Sequence, residues 1–280
     1  MSTGDDAFAV RRILVAVDAA PTSEAVLETA AQLASVFNAE LIGVFVEDIN
    51  LLRLAGLPFA REVSWSTAME LHLDYQRMER TLRGHAAHAQ QAVVNVTTQL
   101  KLRSSLQVVR GQIAQELLRA AENVDLVILG KGREAGGARI GTIARQVLQQ
   151  ARRSVLLVAQ DPRPHKSVMT VCSADEGRER IVSAAARLAL ATDKALLVLI
   201  PASSPEEYER LCEQSRLSLG SGSAPPSVSF RRVNTADACF NPHLMRDEDV
   251  GLLVIDGARA AANLVETRLA GLRCPVLLVH

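Results

Sequence analysis

Residues Asp125 to Val158 read DLVILGKGREAGGARIGTIARQVLQQARRSVLLV. Leu126-Val127-Ile128-Leu129 is a continuous apolar run, too short for a helix and rich in branched residues. That is the pattern of a parallel strand buried on both faces. It stops at Gly130, and a loop of basic and small residues follows as far as Ile140. Gly141-Thr142 then opens a helix whose apolar positions Ile143, Ala144, Val147, Leu148 and Ala151 fall on one stripe. Val155 to Val158 is the next strand. A strand, a glycine-rich basic loop and a helix in that order can hold an anion, because backbone N–H groups and the helix dipole both favour negative charge there. Any ligand site is expected at this loop.

Upstream, Ile13 to Val17 is a buried strand ending at Asp18, and Pro21 and Ser23 lead into a helix with Val26, Ala30, Leu33 and Ala34 on its apolar side. Glu40 to Val46 is the second strand, and the β-α-β order implies parallel pairing through a right-handed crossover. Gly56 and Pro58 make residues 47–66 read as irregular. From about Thr67 to Leu100, apolar residues recur every three or four positions and predict one long helix. It would carry His72, His85 and His88 as solvated side chains, since no cysteine or spaced carboxylate completes a metal set. Leu106–Val109 is a third strand and Ile113–Ala121 a helix, so five strands alternate with helices: a doubly wound α/β domain over residues 1–160.

The rest of the chain repeats this plan. Residues 166–171 match 12–17 at an offset of 154, Leu252–Ile255 match Leu126–Leu129 at 126, and 275–279 match 154–158 at 121. The falling offsets place a loss of 28 residues in the middle of the repeat and five more after its fourth strand. A helix at Glu179–Leu190 and a strand at Ala195–Ile200 fit the copy, and LGSGSAPPS (219–227) reads as a mobile loop. The second domain is therefore expected over 164–280, after the short linker QDPR (160–163).

With 31 basic and 31 acidic residues, the chain has no electrostatic footprint for nucleic acid or an anionic membrane. Aromatic residues make up only 3%, so the cores are built from Ala, Leu, Val and Ile, which suits α/β layers. The N-terminal MSTGDDAFAV lacks a signal-peptide pattern, and no apolar run has transmembrane length. Cys172, Cys212, Cys239 and Cys274 contain no C-x-x-C pair and read as reduced thiols. A cytoplasmic protein is expected.

A first strand ending in Asp, the second strand GVFVED, the run VVRGQIAQELLRAAENVDLVILG, the Gly-Thr helix start and the final VLLV together resemble the universal stress protein family. The resemblance spans both halves and includes the middle segment LAGLPFAREV, as in tandem members. It implies two Rossmann-like five-stranded parallel sheets in the order 3-2-1-4-5, paired as a pseudo-dimer through their fifth strands. Members that bind ATP carry Gly, two residues, Gly, nine residues, then Gly-Ser or Gly-Thr. By that resemblance Gly141 and Thr142 hold phosphate oxygens, Gly130 admits the loop backbone to the nucleotide, Asp18 faces it, and Val46 offers backbone atoms to the adenine. Here Arg133 stands at the second glycine position, seven residues separate it from Gly141, and Gly132, Gly136 and Gly137 lie elsewhere in the loop. Lys131, Arg133 and Arg139 are the candidates to replace lost backbone contacts with charge-assisted ones. In the second half Cys172 replaces the aspartate, Asp256 stands where Gly130 does, and no Gly-Ser or Gly-Thr follows, so no nucleotide site is expected there.

No P-loop occurs, and the G-x-G-x-x-A at Gly130–Ala135 follows the fourth strand rather than the first, which argues against a dinucleotide fingerprint. No catalytic triad, spaced carboxylate pair or metal cluster is legible, so the chain reads as a non-enzyme with at most weak ATPase activity. The leading expectation is a stress-response protein binding ATP (ADP or AMP as alternatives, Mg as counter-ion) in the first half, with a protein partner or homodimer formation beyond it. The alternative is a tandem scaffold that binds no nucleotide and acts through protein–protein contacts.

Overall fold

The computed structural model describes residues 8–18, 23–63, 70–72, 74–132, 140–159, 167–172, 178–219, 227–257, 268–269 and 271–280. The first half runs β1 (Arg12–Ala16), α1 (Ser23–Phe37), β2 (Glu40–Asp48), α2 (Ile49–Ala55), β3 (Arg61–Val63), β4 (Glu70–His72) and α3 (Tyr75–Gln99). It continues through β5 (Ser104–Gly111), α4 (Ile113–Ala121), β6 (Leu126–Gly130), α5 (Thr142–Gln150) and β7 (Ser154–Val158). The second half contains β8 (Ser167–Val171), α6 (Arg178–Ala191), β9 (Ala195–Pro201), α7 (Pro205–Ser218), β10 (Val228–Val233), α8 (Pro242–Asp247), β11 (Val250–Asp256) and β12 (Val276–Val279).

Ten strands form one sheet in the order β10-β9-β8-β11-β12-β7-β6-β1-β2-β5. Each half therefore has the order 3-2-1-4-5, with every pair inside a half parallel. The halves meet where β7 and β12 pair antiparallel, Val276 opposite Leu157 and Leu278 opposite Val155. The continuous apolar runs are explained by burial on both sides. Along β6, Leu126 and Ile128 enter one core layer while Val127 and Leu129 enter the other. Both layers continue across the seam: the first joins Ile13 and Leu156 to Val168 and Leu277, the second Leu14 and Val155 to Met169 and Leu278.

Two readings of the middle segment are corrected. The region expected to be irregular contains α2, started by Asp48, whose side chain accepts a hydrogen bond from the Asn50 amide at 2.8 Å, and stopped at Gly56. The long helix begins at Tyr75 rather than near Thr67, because Asp74 caps it by accepting from the Arg77 amide at 3.3 Å. Upstream of that cap, β4 pairs antiparallel with β3, Arg61 opposite His72, so His72 lies on a strand. His85 and His88 are exposed on α3.

In the second half α7 leads straight from β9 to β10, and among the described residues nothing corresponds to α2, β3 and β4. That is where the 28 residues are missing. Helix α7 adds an element to the expected copy. Its start is explicit: the Ser204 hydroxyl accepts from the Glu207 amide at 3.2 Å, the Glu207 carboxylate accepts from the Ser203 amide at 2.8 Å, and Pro205 opens the helix. The 220–226 part of the glycine- and serine-rich loop lies outside the described residues.

Candidate functional site

Strands β1 and β6 are neighbours, but the chain leaves β1 toward β2 on one side and β6 toward β7 on the other. Such a switch point leaves a crevice at the carboxyl ends of the strands. A cavity of about 350 Å³ lies there. Asp18, just past β1, and Val46, near the end of β2, line it together with Gly130, Gly132, Gly141 and Thr142. Asp18, Val46, Gly130, Gly141 and Thr142, the residues the resemblance assigns to a ligand, thus share one cavity, and the loop candidate Gly132 joins them. Val26, Phe45, Ile113, Leu117 and Val158 complete an apolar wall. Sequence reasoning did not single these out, because their pattern is that of core residues. Their one signal is position: Val158 ends β7, Ile113 opens α4, and Phe45 precedes the candidate Val46 on β2.

The glycine loop leaves this cavity through a narrow neck. The Lys131 amide donates to the Val158 carbonyl and the Gly141 amide to the Lys131 carbonyl, both at 2.9 Å. Gly132 has φ +63°, the left-handed region that favours glycine. A Cβ on Gly132 would stand 3.2 Å from the Gly141 Cα, and one on Gly141 would stand 3.3 Å from the Gly132 Cα. Two backbones touch here, and a side chain at either position would push the other backbone by a few tenths of an ångström. Arg133, Gly136, Gly137 and Arg139 belong to the 133–139 stretch outside the described residues. On the far side of the neck, Thr142, Ile143 and Ala144 form the first turn of α5 and all line the cavity. The first-turn N–H groups of a helix have no intrahelical partner, so this end is suited to an anion.

Lys131 is placed elsewhere. It is 6% exposed, and its Nζ donates to the carbonyls of Leu269 (3.2 Å), Leu272 (2.8 Å) and Cys274 (3.0 Å) in the second half. It does not line the cavity, so the expectation of a ligand-facing charge at this position is replaced by a structural one. Burial pushes its pKa from 10.5 to about 8, with Cys274 acting weakly in the other direction. Burial likewise pushes the Cys274 thiol up to about 11.

Beside the cavity, Glu47 is buried at the end of β2. Arg110 on β5 donates to it from Nε at 2.8 Å, lies 2.7 Å from it through a terminal nitrogen, and reaches Glu79 on α3 at 3.2 Å. This cluster fixes the ends of β2 and β5 against α3, next to Val46.

The equivalent corner of the second half is filled differently. Cys172 Sγ accepts from Ser215 Oγ at 3.2 Å, and Asp256 faces Arg180 at 3.9 Å. The His280 ring occupies the space a side chain at Gly257 would take. Burial, and then the Arg180 charge, lower the His280 pKa, while Asp256 opposes them. Among the described residues no group of three His, Cys, Asp or Glu side chains could hold a metal, and no helix is long and apolar enough to cross a membrane.

Comparison with solved structures finds the same architecture along nearly the whole chain. A universal stress protein from Archaeoglobus fulgidus aligns with TM-score 0.68 and 14% identity, covering 96% of this chain and 97% of its own. A functionally unknown protein from Pseudomonas aeruginosa aligns with TM-score 0.60 and 16% identity, covering 98% and 93%. These likenesses show the fold. Comparison with curated proteins gives no match. The model of the universal stress protein family matches residues 9–159, more than half of the sequence. With that match over the half that carries the cavity, and the 3-2-1-4-5 order in both halves, the chain belongs to the universal stress protein family.

Proposed function

We propose that the first half, residues 1–160, binds an adenine nucleotide, and that the second, 164–280, is its degenerate structural partner. The observation that carries this reading is the shared cavity. An apolar wall of Val26, Phe45, Ile113 and Leu117 suits a flat base, and a glycine neck with a helix N-terminus suits phosphates. ATP is the nucleotide implied by the Gly-Thr helix start, with ADP and AMP as shorter ligands for the shortened loop and Mg as counter-ion. On this reading the role is cytoplasmic stress-response signalling through binding, with at most weak ATPase activity.

Calorimetric titration with Mg-ATP, ADP and AMP tests this. Micromolar binding that Asp18→Ala and Thr142→Ala each weaken tenfold or more supports the reading. No heat of binding up to millimolar, about −4 kcal/mol, would sink it.

A second reading, a protein-interaction scaffold, draws support from Leu51, Leu54, Leu57 and Phe59, which are exposed on α2 and just after it. It predicts a partner whose capture is lost when Leu54 and Phe59 are both changed to Ser, with nucleotide making no difference.

A further inference from the structure

We propose that Lys131 is a positioning residue through which the second half sets the shape of the glycine neck, so that filling the cavity and the packing of the carbonyls of Leu269, Leu272 and Cys274 are coupled. The identity of the ligand rests on the nucleotide reading above; the mechanical tie does not.

The geometry is unusual in combining two roles at one residue. The backbone of Lys131 is part of the neck: its amide is held by Val158, its carbonyl holds the Gly141 amide, and its chain neighbours Gly130 and Gly132 line the cavity. Its side chain leaves the cavity and ends among three carbonyls that lie 138 to 143 positions further along the sequence. Those acceptors form one compact unit, closed by the Leu272 amide donating to the Leu269 carbonyl at 3.2 Å. The ammonium is buried, so losing these acceptors would strand a charge without water to replace them. Any ligand that shifts the neck backbone therefore pulls on three hydrogen bonds in the other half. Any loosening of that unit in turn frees the neck, because coupling between two sites is reciprocal.

Among the described residues this lysine contact has no counterpart running the other way. Gly257 stands where Lys131 does, at the offset of 126 that relates the fourth strands, and it carries no side chain to reach back. His280 fills its place. Among the described residues the second half thus acts on the first half's neck with no reciprocal contact of the same kind, which gives the degenerate copy a role in the site that it lacks itself.

Hydrogen exchange on the full chain, with and without ADP, tests this together with ADP titration. The variants are Lys131→Met, Lys131→Arg and Leu272→Ala, each checked for folding by its melting transition. Without nucleotide, Lys131→Met is expected to speed exchange about tenfold both at Leu272–Cys274 and at Gly130–Gly132 and Gly141. Lys131→Arg, which keeps the charge, restores part of that protection. In the wild type ADP slows exchange at Leu272, which does not line the cavity. Leu272→Ala is expected to weaken ADP binding about tenfold in the wild type and not at all in the Lys131→Met background, since both act through one link. Equal weakening in both backgrounds, or faster exchange confined to the second half, would overturn the proposal. A wild type that ignores ADP defeats the nucleotide reading alone, and the nucleotide-free exchange still decides the tie.

Discussion

At the scale of single residues, the neck depends on a glycine that the family pattern does not name. Gly132 adopts left-handed backbone and has the Gly141 backbone against it. Gly132→Ala is expected to lower stability by about 1–3 kcal/mol, measured by denaturant unfolding, through strain and contact together. Lys131 makes a second, pH-dependent prediction. Its folded pKa, about 8, lies below the unfolded 10.5, so between these values the unfolded chain binds more protons and stability rises with pH. Cys274 works in the opposite sense from 9 to about 11, because its folded pKa is raised. The window from pH 8 to 9 isolates the lysine. Wild type should gain roughly 1 kcal/mol relative to Lys131→Met across it, and equal slopes would contradict the assignment. The two residues differ in legibility. Gly141-Thr142 could be read from local pattern, whereas the partners of Lys131 lie at least 138 positions away, where no spacing rule reaches.

At the scale of elements, the strands were legible because burial on both faces writes an unbroken apolar run, as in Leu126–Leu129 and Val155–Val158. The α2 to α3 region was not. Leu71 and Tyr75 keep helical spacing across a boundary that only Asp74 marks, and three-residue strands such as β3 and β4 are too short to show alternation. Asp74→Ala removes that cap and is expected to lower stability by about 1 kcal/mol, seen as a lower melting temperature. Breaking the adjoining charge cluster acts in the same direction. Arg110→Ala leaves the buried Glu47 carboxylate without its main partner and is expected to lower the melting temperature measurably. An unchanged melting temperature would contradict this role for Arg110.

At the scale of the whole molecule, the two cores and the sheet run through the β7–β12 seam. The repeat offsets made the duplication legible, and the resemblance supplied the seam; the filling of the second corner by His280 depended on how side chains pack and could not be read. A fragment ending at residue 160 would expose the β7 edge with Val155, Leu156 and Leu157. It is expected to associate with itself, and sedimentation showing only monomer at tens of micromolar would contradict the seam's importance. In the intact chain the same edge never waits for a partner. A strand carried on its own chain meets its mate at an effective concentration on the order of millimolar, whatever the dilution. Assembly at the seam is thus insensitive to how much protein the cell makes. The two surfaces no longer need to be copies of one another, and that leaves one half free to fill its pocket with a histidine ring while still supporting the neck of the other.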